Sequence, residues 1–306
     1  MQTTVRSPIA FKGVGLHLGR PVRMTIRPAS AEYGIWFRRT DVADRDALIA
    51  ARWDSVVDAR LCTRIANSAG TEVSTIEHVM AALAGTGVQN ALIEIDGPEV
   101  PILDGSSAPF VRQILTTGLR HLDAPARALR VLEPVEVRDG DAVARLLPAD
   151  ELEIAFSIEF EDAAIGRQEK HLTLANGTFV RELSDSRTFC RQADVDAMRE
   201  NGLALGGDYH NAVVFDGAKI LSPGGLRHAD EPVRHKMLDA LGDLALAGAP
   251  ILGRYEGHRA GHAMTNKLLR ALFACPSAFR MVVCAPETEA RLPGAGIEHS
   301  AYLAAV

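Results

Sequence analysis

A short helical pattern occurs twice in this chain, and the repetition limits the folds open to it more than any other feature. His78-Val79-Met80-Ala81-Ala82-Leu83-Ala84-Gly85 in the first half resembles His235-Lys236-Met237-Leu238-Asp239-Ala240-Leu241-Gly242 in the second. Each begins with His, has Met two residues on and Gly seven residues on. Ala82 in the first stands where Asp239 stands in the second. Helices rich in alanine and leucine also look alike by coincidence. If the repeat is real, the chain holds two copies of one domain, and the two His-bearing helices could face each other.

The surrounding pattern fits two such copies. Residues 9–27, with glycines at Gly13, Gly15 and Gly19, read as a strand, a turn and a second strand over 22–26. Residues 74–84 read as a helix, with capping-box spacing between Ser74 and Glu77, stopped by Gly85 and Gly87. Strict alternation over 92–96 predicts a strand that runs into the Gly97-Pro98 turn. Residues 109–119 read as a second helix ended by Gly118, and 121–127, around Pro125, as a linker. Beyond the linker, strands are expected over 131–137 and 152–160, the latter with Ile154, Phe156, Ile158 and Phe160 on one face. Helices are expected near 194–201, 232–246 and 261–273. Strands followed by helices in each half predict an α+β fold, not a doubly wound sheet, divided into domains at 1–124 and 127–306.

A chain of 306 residues is long enough for about two ordinary domains. Apolar residues make up 47% of it, enough for a sizeable core. A net charge of -6 and a pI near 5.9 argue against a nucleic-acid binder, which usually carries a basic face. Cys62, Cys190, Cys275 and Cys284 form no C-x-x-C pair and fit neither a zinc ribbon nor a disulfide framework, so reduced thiols in a cytoplasmic protein are expected. The N-terminus lacks a signal core, and no run of about 18 uncharged apolar residues predicts a transmembrane segment.

Several residue groups could carry chemistry. His235 and Asp239 lie four apart, on one helical face, where a single zinc ion could take both; Asp243 extends that face. The same spacing also occurs as an ordinary polar pair on a surface helix. Glu77-His78 opens the other helix. Its Glu could sit by a metal water while its His binds the metal, or it could simply cap the helix. Together the two groups supply three ligands, leave one position open and add a base, the pattern of a catalytic zinc site. His262, if held by a carboxylate such as Asp243, could donate a proton; otherwise it is a solvent histidine at a helix start. Thr188, in Ser184-Asp185-Ser186-Arg187-Thr188-Phe189-Cys190, could donate to an oxyanion or merely stabilise a turn. No G-x-S-x-G elbow, Walker A motif, dinucleotide fingerprint or H-E-x-x-H sequence is present.

As a set, these motifs resemble the UDP-3-O-acyl-N-acetylglucosamine deacetylases, zinc amidases that commit precursors to lipid A synthesis. The resemblance rests on GVGLHLG (13–19), STIEHVMAALAGTGVQN (74–90), EVPILDGSS (99–107), SRTF (186–189), VRHKMLDALGD (233–243) and GHAMTNKLLRAL (261–272). It implies that His78, His235 and Asp239 hold Zn2+, with Fe2+ possible in the same site. It implies Glu77 as general base, His262 as the acid that protonates the departing amine, and Asp243 as its orienting carboxylate. It further implies Thr188 at the oxyanion, Lys236 on the substrate, Phe160 against the uracil ring, and Phe189 beside the sugar and acyl chain.

The resemblance also implies a duplicated α+β domain, with helices packed between two β-sheets and the active site at the domain interface. An insert at about 190–214 would form an acyl passage, with Met198, Leu203, Leu205 and Val213 as lining or as local core. The implied partner is a UDP-linked acylated amino sugar, handled by a monomer. The chain departs from some relatives at Ala142, where a basic residue follows the Asp139-Gly140-Asp141 turn near the diphosphate. Lys236 and Arg259 are then the candidate phosphate contacts. A chain ending at Val306 is also expected to lack the dehydratase domain fused to some relatives.

Overall fold

The structure is a computed structural model that describes residues 1–297; the last nine residues of the expected second domain, 298–306, lie outside the described residues. The first half runs β1 (Thr3–Val5), β2 (Ile9–Val14), β3 (Pro21–Pro28), β4 (Ile35–Arg39), β5 (Leu48–Ala50), β6 (Val56–Asp58), β7 (Arg64–Ala66) and β8 (Glu72–Val73). It continues with α1 (Glu77–Thr86), β9 (Ala91–Ile95), α2 (Ala108–Thr117) and β10 (Leu119–His121). The second half begins with β11 (Arg127–Val131), β12 (Val135–Asp139), β13 (Ala142–Leu147), β14 (Leu152–Glu159) and β15 (Arg167–Thr173). There follow α3 (Thr178–Glu182), β16 (Phe189–Arg191), α4 (Gln192–Glu200), β17 (Val213–Asp216) and β18 (Lys219–Ile220). The described chain closes with α5 (Glu231–Leu244), β19 (Ile251–His258), α6 (His262–Phe273), β20 (Phe279–Val283) and α7 (Pro286–Glu289).

One connectivity appears twice. The first sheet has the order β2-β3-β9-β4-β5, antiparallel except for the β4–β9 pair. The second contains β12-β13-β19-β14-β15, antiparallel except for β14–β19. In both, a helix enters just before the central strand, α1 before β9 and α5 before β19, and a second helix follows it. In both, a small three-stranded sheet is inserted ahead of that helix: β6-β7-β8 in the first half and β16-β17-β18 in the second. β11 and β20 extend the second sheet at the start of β19. This is an α+β chain, as the order of strands and helices implies.

Burial follows the sequence pattern. β9 and β14 alternate buried and half-buried residues along their length, so each turns one apolar row inward. In α1, residues Val79 to Leu83 are all buried, which a helix tolerates only at the centre of a core. Its partner is α5. A Cβ on Gly242 would lie 2.1 Å from the Glu77 carbonyl oxygen, so glycine is what lets the two helices approach. Val79, Met80 and Leu83 join Leu238, Leu241 and Leu244 in one continuous core shared by both halves. Among the described residues, no helix is long and apolar enough to cross a membrane.

Two sequence expectations need correction. The capping box at Ser74 and Glu77 does not form: Thr75 adopts φ 58, turning the chain, and α1 starts only at Glu77 behind Ile76. Ser74 Oγ donates to the Pro98 carbonyl (3.2 Å), and the Glu77 carboxylate is engaged by Thr63. The strand expected over 131–137 is two strands. β11 ends at Val131, Leu132 turns to donate to the Ala278 carbonyl (2.8 Å), and Pro134, which has no N–H, precedes β12. Of the two alternatives for Val213, lining or local core, its full burial in the main core fits the second.

Candidate metal centre

Each motif of the site holds the next one in place. Glu99 is buried, and its carboxylate accepts the N–H groups of His17 (2.7 Å) and Leu18 (2.9 Å) and the Thr75 hydroxyl (3.1 Å). The loop over 13–19 is thereby fastened to the turn that launches α1. Gly15 lies so close that a Cβ there would meet Glu99 Oε2 at 2.3 Å. Farther along the same motif, Ser107 Oγ donates to the His78 carbonyl (2.8 Å). On the second half, the Arg187 guanidinium and backbone N–H both engage Glu231 at the start of α5, in a buried ion pair. That pair fastens the 184–189 turn to the helix bearing His235 and Asp239.

His78, His235 and Asp239 converge across the junction of α1 and α5. Each offers one ligand atom, and these atoms all lie within 4.8 Å of one another. His78 Nε2 is 3.6 Å and His235 Nε2 3.2 Å from Asp239 Oδ1. His235 Nδ1–H donates to the Ser186 carbonyl (3.0 Å), which leaves Nε2 as the free lone pair facing Asp239. All three side chains are buried, yet Asp239 Oδ1 has no hydrogen-bond partner. A buried carboxylate oxygen left without a donor is costly unless a cation completes it, so this donor set fits one metal ion. Burial would raise the Asp239 pKa, but His235, Lys236 and His262 hold it well below the usual carboxylate range.

Two further groups flank the cluster. Glu77 is buried, and burial pushes its carboxyl above its ordinary pKa, against the pull of His262 and His78. Its Oε2 accepts the Thr63 N–H (3.0 Å). On the other side, His262 Nδ1–H donates to Asp243 Oδ2 (2.8 Å), and its Nε2 lies 3.9 Å from Asp239 Oδ2. Burial alone would lower the His262 pKa, but Asp243 and Asp239 push it up to about 9. Asp243 Oδ1 accepts the Thr63 hydroxyl (2.5 Å).

The remaining predicted residues fall at different distances from the metal ligands. Lys236 Nζ donates to Asp239 Oδ2 (2.6 Å) and stands 5.9 Å over the Phe189 ring. Phe189 meets His235 edge-on at 6.4 Å and Phe160 at 5.6 Å. Thr188 is half-buried, one residue before Phe189, and its N–H donates to the Gly105 carbonyl (2.8 Å). Arg259 pairs with Asp141 at 3.7 Å, at the turn that precedes Ala142. In the insert, Met198 and Leu203 are half-buried and Leu205 is 57% exposed. Thr63 and the Arg187–Glu231 pair have no place in the sequence-based expectation. Arg187 lies inside a motif that could have flagged it, whereas Thr63 lies in no motif. An apolar cavity of about 700 Å³, lined in part by Leu83, Ala84, Leu241 and Leu244, contains none of the predicted site residues.

A cluster able to hold one metal, with a buried carboxylate on one side and an imidazole on a carboxylate on the other, is the arrangement of a metal-dependent hydrolase. Comparison with known proteins names the kind. Residues 2–274 match the UDP-3-O-acyl N-acetylglycosamine deacetylase family. The chain is similar to the UDP-3-O-acyl-N-acetylglucosamine deacetylase of Phenylobacterium zucineum (strain HLK1), 51% identical over 92% of this chain and 96% of the relative. It is likewise similar to that of Idiomarina loihiensis, 47% identical over 92% of each chain, and of Anaeromyxobacter sp. (strain Fw109-5), 47% identical over 92% and 91%. The chain belongs to the UDP-3-O-acyl N-acetylglycosamine deacetylase family.

Proposed function

We propose that the cluster at His78, His235 and Asp239 holds one Zn2+ and is where this chain removes an N-acetyl group. The reaction is that of its family, deacetylation of UDP-3-O-acyl-N-acetylglucosamine, a step of lipid A biosynthesis. The single observation that carries the assignment is the buried, partnerless Oδ1 of Asp239 beside two histidine Nε2 atoms. Imidazole and carboxylate suit Fe2+ as well, and both ions fit this donor set. When bound, the ion supplies Lewis acidity, which makes water a usable nucleophile near neutral pH and polarises a carbonyl.

The protein's own groups divide the proton transfers. Glu77 takes the proton of the attacking water at its carboxylate, a role suited to a base whose pKa burial has raised. His262 gives the proton at Nε2 to the departing amine, because its Nδ1–H is committed to Asp243. The Thr188 hydroxyl donates to the oxyanion that develops on the acetyl carbonyl. Lys236 contacts the substrate, Phe189 flanks the sugar and acyl chain, and Phe160 lies against the uracil ring. Lys236 and Arg259 are the proposed diphosphate contacts. The repeated connectivity supports a division into domains at 1–124 and 127–306, with the acyl passage in the insert over about 190–214, lined by Met198, Leu203 and Leu205. A monomer is part of this reading. Four unpaired cysteines support a reducing, cytoplasmic setting.

The test is acetate release from UDP-3-O-acyl-N-acetylglucosamine by purified protein of measured metal content. Glu77→Gln should lower turnover by about 10²–10⁴-fold with metal retained. Near-wild-type turnover in that variant would remove Glu77 as the base. Equal rates on UDP-N-acetylglucosamine without the 3-O-acyl chain would remove the need for an acyl passage.

A further inference from the structure

Thr63 touches the carboxylate of Glu77 and the carboxylate that holds His262 at once. It lies between β6 and β7, in the small sheet inserted in the first half, and is buried. Its N–H donates to Glu77 Oε2 (3.0 Å), and its hydroxyl donates to Asp243 Oδ1 (2.5 Å). The other Asp243 oxygen accepts from His262 Nδ1 (2.8 Å). The Ile76 N–H, one residue before α1, donates to the Thr63 carbonyl (3.4 Å). A single residue of the first half therefore holds the carboxylate of Glu77 on its own helix and the carboxylate of Asp243 on the opposite one.

We propose that Thr63 is a positioning residue for the deacetylation, setting the base and the acid's carboxylate at a fixed relation through two separate hydrogen bonds. The proposal rests on the roles given above to Glu77, Asp243 and His262. The two bonds differ in what they require. Any residue except proline supplies the N–H, whereas only Thr or Ser supplies the hydroxyl. A hydroxyl on a buried carboxylate is a strong, charge-assisted bond, and it stops the carboxylate from rotating. Asp243 can hold His262 in one orientation only while its own plane is held. A merely structural reading would make Thr63 one more donor to a buried acid, and the two readings differ in what they move.

Thr63→Val and Thr63→Ala keep the N–H and lose the hydroxyl; Thr63→Ser keeps both. Acetate release from UDP-3-O-acyl-N-acetylglucosamine would be measured with metal content and melting temperature. Thr63→Val should lower kcat by about 10–100-fold, the scale of a lost outer hydrogen bond at a metal site, with KM within about twofold and metal unchanged. Thr63→Ser should stay within about threefold of wild type, as expected when the bond survives. In an Asp243→Ala background, Thr63→Val should add less than about twofold, because the two act as one unit. Wild-type kcat in Thr63→Val, an equal loss in Thr63→Ser, or a fully multiplicative loss with Asp243→Ala overturns the proposal. If Thr63→Val fails to fold, Thr63→Ala carries the same comparison. Near-wild-type turnover of Glu77→Gln, measured alongside, would instead overturn the base assignment on which the proposal rests.

Discussion

Helices α1 and α5 occupy the same place in two sheets of the same connectivity, yet they do different work. At the positions of Ala82 and Asp239, one helix packs a methyl group and the other presents the carboxylate that faces both histidines. At Thr86 and Asp243 the contrast repeats. The Thr86 hydroxyl turns back to the Ala82 carbonyl of its own helix (2.6 Å), while Asp243 reaches outward to His262 and Thr63. The paired glycines differ too: Gly242 admits the backbone of α1, whereas Gly85 admits the ring of Phe179. One scaffold thus yields a packing helix and a chemical helix, and the difference lies in two acidic side chains on one face of α5. The packing helix contributes only its first turn, Glu77 and His78, because the rest is enclosed by core.

The comparison breaks most sharply at Asp239. Asp239→Ala makes α5 resemble α1 there, and acetate release should fall by ~10⁴-fold, about 5.5 kcal/mol of barrier. Metal per chain, read by elemental analysis, should drop well below one; full metal occupancy in this variant would show that the two helices do not differ as described. The reciprocal Ala82→Asp buries an unpaired carboxylate and should cost about 3–5 kcal/mol in denaturant unfolding without adding a metal.

A smaller effect should appear in the pH profile. With His262 as the proposed protonated donor, kcat should fall as pH rises through about 9, the value to which Asp243 and Asp239 push it against burial. Asp243→Asn removes one of those charges and leaves burial, which lowers the pKa, less opposed. The alkaline limb should then move to lower pH by about one unit or more. A limb that stays in place would assign it to another group.

The glycine pair should give the smallest change and the finest distinction. A Cβ on Gly242 would meet backbone at 2.1 Å, and a Cβ on Gly85 would meet the Phe179 ring at 1.9 Å. Both alanine variants should lose about 1–3 kcal/mol of stability by overpacking. Only Gly242→Ala should also lower kcat, since it pushes on Glu77, the proposed base. Equal kcat losses would mean that the helix junction is not what positions Glu77.

Much of this was legible in the chain. The alternation of 92–96 and 152–158, the stops at Gly87 and Gly118, and the near-repeat around His78 and His235 all correspond to elements in place, whereas Gly85, expected to stop α1, lies inside it and packs on Phe179. They are local signals, set by side-chain period and backbone freedom over a few residues. The failures were local rules overruled by distant partners. Ser74 and Glu77 have capping-box spacing, but Glu77 is claimed by Thr63 and Ser74 by Pro98.

Local patterns along the chain set the kinds of elements, the twofold pattern and the short list of groups able to bind a metal or move a proton. Which of those groups meet was settled by packing between the two halves. His78 and His235 come together because Gly242 lets two helices touch, and Asp243 meets Thr63 across 180 residues of chain. A hydrogen bond between residues so far apart leaves no periodicity, and a turn residue such as Thr63 has no pattern to betray it. Its place is set by the packing of one half against the other.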